Sequence, residues 1–156
     1  MTNAANRPPL VSVTDLITRF DIRSGPLRRV SARVHAVENV SFEIDAGETL
    51  ALVGESGCGK STIGRSLLQL DAPTSGSVKF EGVETLGLSS RALRPFRRQM
   101  QMIFQDPFSS LDPRMRIGDA VAEPMVINGV AKGEALRSRV VELLERVELG
   151  REHLSR

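Results

Sequence analysis

Nine consecutive residues, Gly54-Glu55-Ser56-Gly57-Cys58-Gly59-Lys60-Ser61-Thr62, hold the densest set of groups able to do chemistry in this chain. Glycines at this spacing let successive backbone N–H groups curl into a concave nest for an anion. A helix opening near Lys60 would add the positive end of its dipole. The order G-x-x-x-x-G-K-[ST] is that of a phosphate-binding loop. It places the Lys60 ammonium in reach of the β- and γ-phosphates of a nucleotide, and the Ser61 hydroxyl in the shell of a Mg²⁺ ion. All nine residues are therefore candidate nucleotide contacts, with Lys60 the candidate catalytic cation and Ser61 a candidate metal ligand. A flexible turn would explain the glycines but not what flanks them. Cys58, the single cysteine of the chain, reads as a small residue tolerated between two glycines rather than as a redox group.

A phosphate loop works only if a strand delivers it and a helix leaves it. Thr49-Leu50-Ala51-Leu52-Val53 is a short apolar run of the kind buried on both faces of a parallel sheet. Beyond the loop, Ser61 to Leu70 carries Ile63, Leu67, Leu68 and Leu70 at helical spacing. Upstream, Leu10–Leu16 alternates as a strand that Phe20–Ile22 continues, and Ala36–Ile44 places Val40, Phe42 and Ile44 on one strand face. Between them Arg23 to Arg33, with Gly25 and Pro26, reads as an exposed loop. Downstream, Ser77–Phe80 alternates as a strand, Ser89 or Ser90 caps a basic helix through Arg91, Arg94, Arg97 and Arg98, and Gln99–Phe104 reads as a further strand. The last third is helical. Ile117–Glu123 stops before Pro124, and Glu134–Glu148 sets Leu136, Val140, Leu143, Leu144 and Val147 on one face. A Glu142–Arg146 pair supports that helix, and Gly150 ends it.

Composition narrows the chemistry further. The 156 residues are 40% hydrophobic and 26% charged, which fits a globular chain and not a disordered one. No apolar run is long enough for a membrane span, and the first residues do not read as a signal peptide. One cysteine and two histidines, His35 and His153, exclude an internal disulfide and argue against a Cys/His metal cluster, so a reducing compartment is expected. The net charge of +2 is too small to predict nucleic-acid binding, although 18 of the 21 basic residues are arginines. Tyr and Trp are absent, so any aromatic platform must come from six phenylalanines or the histidines.

The strings around the loop resemble the nucleotide-binding domain of ATP-binding cassette (ABC) transporters. They are Ala36-Val37-Glu38-Asn39-Val40-Ser41-Phe42, then Gly47 to Gly57, then Pro73-Thr74-Ser75-Gly76-Ser77-Val78, then Met102-Ile103-Phe104-Gln105-Asp106-Pro107, in family order. Phe108-Ser109-Ser110-Leu111-Asp112-Pro113-Arg114-Met115 is similar to the branch that powers oligopeptide and dipeptide importers. The resemblance implies an α/β fold: a P-loop NTPase (RecA-like) core with an antiparallel β subdomain and part of an α-helical subdomain, truncated. It divides the chain into a β subdomain and P-loop core over about 10–105, and a Q-loop with the start of the helical subdomain over about 106–156. Gln105 becomes the Q-loop glutamine, catalytic in that its amide oxygen completes the Mg²⁺ shell and senses the γ-phosphate. Family members usually stack adenine on an aromatic upstream of Val37; here His35 and Phe20 are the candidates. The cofactors implied are ATP and Mg²⁺. Implied partners are a second nucleotide-binding subunit in a head-to-tail dimer, transmembrane permease subunits and a separate solute-binding protein, at the cytoplasmic face of the membrane.

Phosphoryl transfer also needs a carboxylate to help place Mg²⁺ and a group to position the attacking water. The resembled family supplies them from an apolar strand ending in Asp-Glu, a switch histidine and an LSGGQ-type signature, and none of these strings is found in the 156 residues. Leu67-Leu68-Gln69-Leu70-Asp71 imitates the Asp strand but begins seven residues after Lys60. That is too soon, because a return to a parallel strand needs a crossover of about a dozen residues. The motif order thus predicts the front part of a longer protein, binding nucleotide without the full hydrolytic set. A GTPase is disfavoured by the lack of an N-K-x-D string, and a small-molecule kinase by the Q-loop string.

Overall fold

A computed structural model of the chain describes residues 8–26, 29–105 and 111–156. The chain forms two compact units, Met1–Met102 and Ile103–Arg156.

The first unit is built on an antiparallel sheet of order β2-β1-β3-β4. Strand β1 is Val11–Ser24, β2 is Arg29–Ile44, β3 is Ser75–Phe80 and β4 is Val83–Glu84. β1 lies between β2 and β3, and its Val13 and Leu16 are almost fully buried. Val13 and Leu16 of β1, Val37 of β2 and Val78 of β3 form the core with Ile63 of helix α1 (Lys60–Leu67), each less than a tenth exposed. Val40, Phe42, Leu67 and Leu86 pack around them. Helix α2 (Ser90–Arg97) starts where Ser89 accepts a hydrogen bond from the Ala92 amide at 3.3 Å. Its Phe96 meets Phe80 of β3 edge to face, with ring centroids 6.2 Å apart. Glu84 locks the β3–β4 turn by accepting from the amides of Val78 at 3.0 Å and Leu86 at 2.9 Å, and from the Ser77 hydroxyl. Burial raises the Glu84 pKa, but these donors outweigh burial and hold it below the usual carboxylate range.

Three sequence expectations change in this unit. Arg23–Arg33 is not a loop: β1 runs on to Ser24 and β2 starts at Arg29, with Ile22 paired to Ala32 and Arg23 to Val30. Among the described residues only Gly25 and Pro26 lie in a turn there, since an extended two-stranded ribbon satisfies the backbone groups that a loop would leave to water. Thr49–Val53 is not a strand. Among the described residues nothing pairs with it, and Leu50, Leu52 and Val53 are 40%, 43% and 94% exposed. An apolar run becomes a parallel strand only when neighbours take its N–H and C=O groups. Gln99–Phe104 is likewise outside any strand, with Ile103 and Phe104 97% and 45% exposed.

The second unit holds α3 (Ile117–Ile127), α4 (Gly133–Glu145) and a 3-10 turn, Arg151–Ser155. Val140, Val141 and Leu144 of α4 are buried, and Gly118 of α3 lies so close to Leu154 that a Cβ there would be 2.9 Å from its carbonyl oxygen. Pro124 does not stop α3, which continues to Ile127. Proline removes only one helical hydrogen bond, and the Asn128 amide and side chain both donate to the Pro124 carbonyl, at 3.1 and 2.9 Å. Glu142 pairs with Arg139 at 2.6 Å instead of with Arg146. α4 ends before Gly150: Glu148 takes the left-handed conformation, φ 62°, and the Leu149 amide closes onto the Leu144 carbonyl at 3.0 Å. Val147 is consequently 64% exposed. Asp106 and Pro107 of the string that starts at Met102, and Phe108–Ser110 of the importer-like string, lie outside the described residues.

Candidate nucleotide site

The cradle forms where β2 is irregular. Thr18 of β1 pairs with Val37 while Arg19 pairs with His35, so Ala36 is an extra residue bulged out of the ladder. Its carbonyl faces Gly59, where a Cβ would collide with the Ala36 oxygen. Gly59 also has φ 95°, and Gly57 has φ 83°. Only glycine meets both demands at position 59 without strain. Gly54 is held close as well, since a Cβ there would stand 2.7 Å from Cys58 Sγ.

α1 begins directly after Gly59, and the Ile63 amide donates to the Gly59 carbonyl at 2.9 Å. The first amides of a helix have no intrahelical acceptor. Gly59 offers no side-chain cap, and the first turn has no acidic residue to compete for those donors. Lys60 closes the loop from inside: its Nζ donates to the carbonyls of Gly54 at 2.7 Å and Glu55 at 2.6 Å, and lies 3.4 Å from Cys58 Sγ. A cation, the opening turn of a helix and left-handed glycines thus come together along one exposed loop. Its chemistry suits a polyanion, and a phosphate would compete with the two carbonyls for the ammonium. Ser61 is exposed in the first turn and Thr62 is half-buried. Glu55, Ser56, Gly57 and Cys58 are exposed along the loop. Among the described residues no group of three His, Cys, Asp or Glu side chains is placed to hold a metal. The Ser61 hydroxyl is a hard oxygen donor suited to one position of a Mg²⁺ shell whose other ligands are phosphates and water. Gln105 is exposed and belongs to the second unit.

Phe20 and His35 lie on opposite faces of the β1–β2 ribbon. Cross-strand partners share a face, and Phe20 pairs with Val34 whereas His35 pairs with Arg19. The Phe20 face is also that of Thr18, whose hydroxyl meets Ser66 of α1 at 2.9 Å, so it is the face α1 covers. His35 instead joins an ion cluster, its Nδ1 2.6 Å from Glu38, which also takes two bonds from the Arg19 guanidinium at 2.6 and 2.8 Å. The hydrogen bonds from Arg19, helped by His35, lower the Glu38 pKa to about 2.

The sequence reading missed the Ala36 bulge and the Thr18–Ser66 bond. A signal for the second was present: Ser66 shares an apolar helix face with Ile63, Leu67 and Leu70, and a hydroxyl on such a face needs a partner.

Comparison with known proteins places this architecture. The family model described as ABC transporter matches residues 37–155. The chain is 50% identical over 155 residues to the glutathione import ATP-binding protein GsiA of Pectobacterium atrosepticum, covering 99% of this chain and 25% of that protein. It is 52% identical over 145 residues to GsiA of Salmonella paratyphi A, covering 93% of this chain and 23% of that protein. It therefore spans about a quarter of the length of these relatives. Among solved structures, the dimeric ATP-binding cassette MJ0796 in a post-hydrolysis state bound to ADP and Pi matches with a TM-score of 0.73 and 27% identity. That match covers 93% of this chain and 60% of the cassette. The chain belongs to the ABC transporter family.

Proposed function

We propose that the chain is the ATP-binding portion of an ABC transporter ATPase subunit that, in the whole protein, energises uptake of oligopeptides or dipeptides. The observation that carries this reading is that Lys60, the opening of α1 and the left-handed Gly57 and Gly59 come together in one loop. Gly54–Thr62 would cradle the phosphates, with Lys60 on the β- and γ-phosphates. Ser61 would give an oxygen to Mg²⁺, which balances phosphate charge when bound, and Gln105 would be the Q-loop glutamine. Phe20, with Val34 beside it, is the better base platform, because it lies on the face of β1 that α1 covers and His35 does not. Peptide uptake draws support from relatives named for import of glutathione, itself a short peptide. The partners in this reading are a second nucleotide-binding subunit, permease subunits and a solute-binding protein, at the cytoplasmic face of the membrane; among the described residues no helix is long and apolar enough to cross one.

Cells whose copy of the gene carries Lys60→Ala should lose uptake of labelled short peptides, glutathione included, while the protein is still made. Undiminished uptake would refute the assignment. A second reading has its own observation: the 156 residues hold neither an Asp-Glu-ended apolar strand nor an LSGGQ string. On that reading these 156 residues by themselves bind nucleotide without hydrolysing it. Purified as these 156 residues, the protein should bind ATP and release no phosphate above a Lys60→Ala control; release above that control would remove the binding-only reading.

A further inference from the structure

Besides the apolar packing of Ile63 and Leu67, α1 meets the β1–β2 ribbon through two further contacts. At its start, Gly59 sits against the bulged carbonyl of Ala36 beside the Val37 side chain. Near its end, the hydroxyls of Ser66 and Thr18 share a hydrogen bond of 2.9 Å, and both residues are fully buried. Thr18 and Val37 are cross-strand partners, so the helix crosses the ribbon over that one residue pair. Together with that apolar packing, these two contacts, roughly 10 Å apart along the helix axis, resist a swing of the helix about either one. The next same-face pair along the ribbon is Phe20 with Val34, about 7 Å further on. The segment after α1 grips the same stretch of β1: the Thr74 amide donates to the Ile17 carbonyl at 2.7 Å and its hydroxyl accepts from the Arg19 amide at 3.0 Å.

We infer that the Thr18–Ser66 hydroxyl pair is a positioning device, setting the base platform of Phe20 and Val34 at a fixed place relative to the phosphate cradle. The inference rests on the nucleotide-binding reading above and goes beyond it in assigning two residues that touch no nucleotide. Its consequence is selective. Breaking the bond leaves Gly54–Thr62 able to hold phosphates but lets α1 shift against β1, so the base and the triphosphate are no longer satisfied together.

The test compares affinities of the full chain for ATP and for inorganic tripolyphosphate in one buffer, in the wild type, Thr18→Val, Ser66→Ala and Thr18→Ser. A purely structural role would lower the folded fraction and weaken both ligands by the same factor. A positioning role changes their ratio. Thr18→Val and Ser66→Ala should each reduce the preference for ATP over tripolyphosphate about fivefold. Tripolyphosphate affinity should stay within about twofold, and Thr18→Ser, which keeps the hydroxyl, should restore the ratio. Ser66→Ala removes the same bond with the smaller change in shape, so it carries the test where Thr18→Val does not fold. A ratio equal to that of the wild type in either folded variant overturns the inference and leaves the nucleotide site standing. A wild type that binds neither ligand overturns both.

Discussion

Replacing Gly59 with alanine separates two reasons for a glycine in the cradle, with Gly57→Ala as the internal reference. Both residues have positive φ, 95° and 83°. A side chain held in that region costs about 1–2 kcal/mol. At Gly57 nothing lies within 4 Å of an added Cβ, so the conformational cost is the whole effect. At Gly59 the Cβ also collides with the carbonyl oxygen of Ala36, which belongs to a bulged strand and not to a flexible side chain. Overpacking against fixed structure adds about 1–3 kcal/mol. For a domain of this size about 1 kcal/mol moves the melting midpoint by about 2–4 °C. Gly59→Ala should therefore melt about 2–12 °C below Gly57→Ala, measured by circular dichroism on the full chain. Equal midpoints would refute the claim that the Ala36 bulge seats the phosphate loop.

Two further substitutions and one titration probe the same architecture. Phe20→Ala should weaken ATP binding at least about fivefold, the scale of one base stacked on an aromatic, while His35→Ala stays within about twofold; the reverse order in a binding titration would move the base to the other face of the ribbon. Glu38, held at about 2 by Arg19 and His35 instead of the ordinary 4.5, adds stability that is complete above pH 4.5 and is lost as pH falls through about 2. The melting midpoint should accordingly drop across that window and drop less in Glu38→Gln, with high salt shrinking the difference because the cluster is solvent-exposed. Parallel pH profiles for the two proteins would show that the Arg19–Glu38–His35 cluster does not stabilise the ribbon.

What could be read from the sequence follows from how local the physics is. The loop Gly54–Thr62, the start of α1 and the Ser89 cap depend on residues within a few positions of one another, and the spacing alone announces them. The strand at Thr49–Val53 depends on distant backbone to accept and donate its hydrogen bonds, and no described residue does so. Arginines together with Gly25 and Pro26 disguised the ribbon of Arg23–Arg33, because only cross-strand pairing with β1 makes that segment extended. Pro124 in α3 and the Arg139–Glu142 pair show the same limit on a smaller scale: each was a choice between two local options that neighbouring groups decided. The contacts that seat the helix, Ala36 on Gly59 and Thr18 on Ser66, join residues 23 and 48 positions apart. No periodicity encodes such pairs.

The most direct test of the account is an equilibrium titration of the full chain with ATP, set beside Lys60→Ala. Lys60 reaches inward across the loop to the carbonyls of Gly54 and Glu55, and its removal takes away a charge-assisted contact worth about 1.5–3 kcal/mol with each phosphate it would bind. Saturable binding to one site in the wild type, weakened at least about tenfold in Lys60→Ala, is the predicted result. Equal affinity in the two proteins would contradict the claim that Gly54–Thr62 is a phosphate cradle.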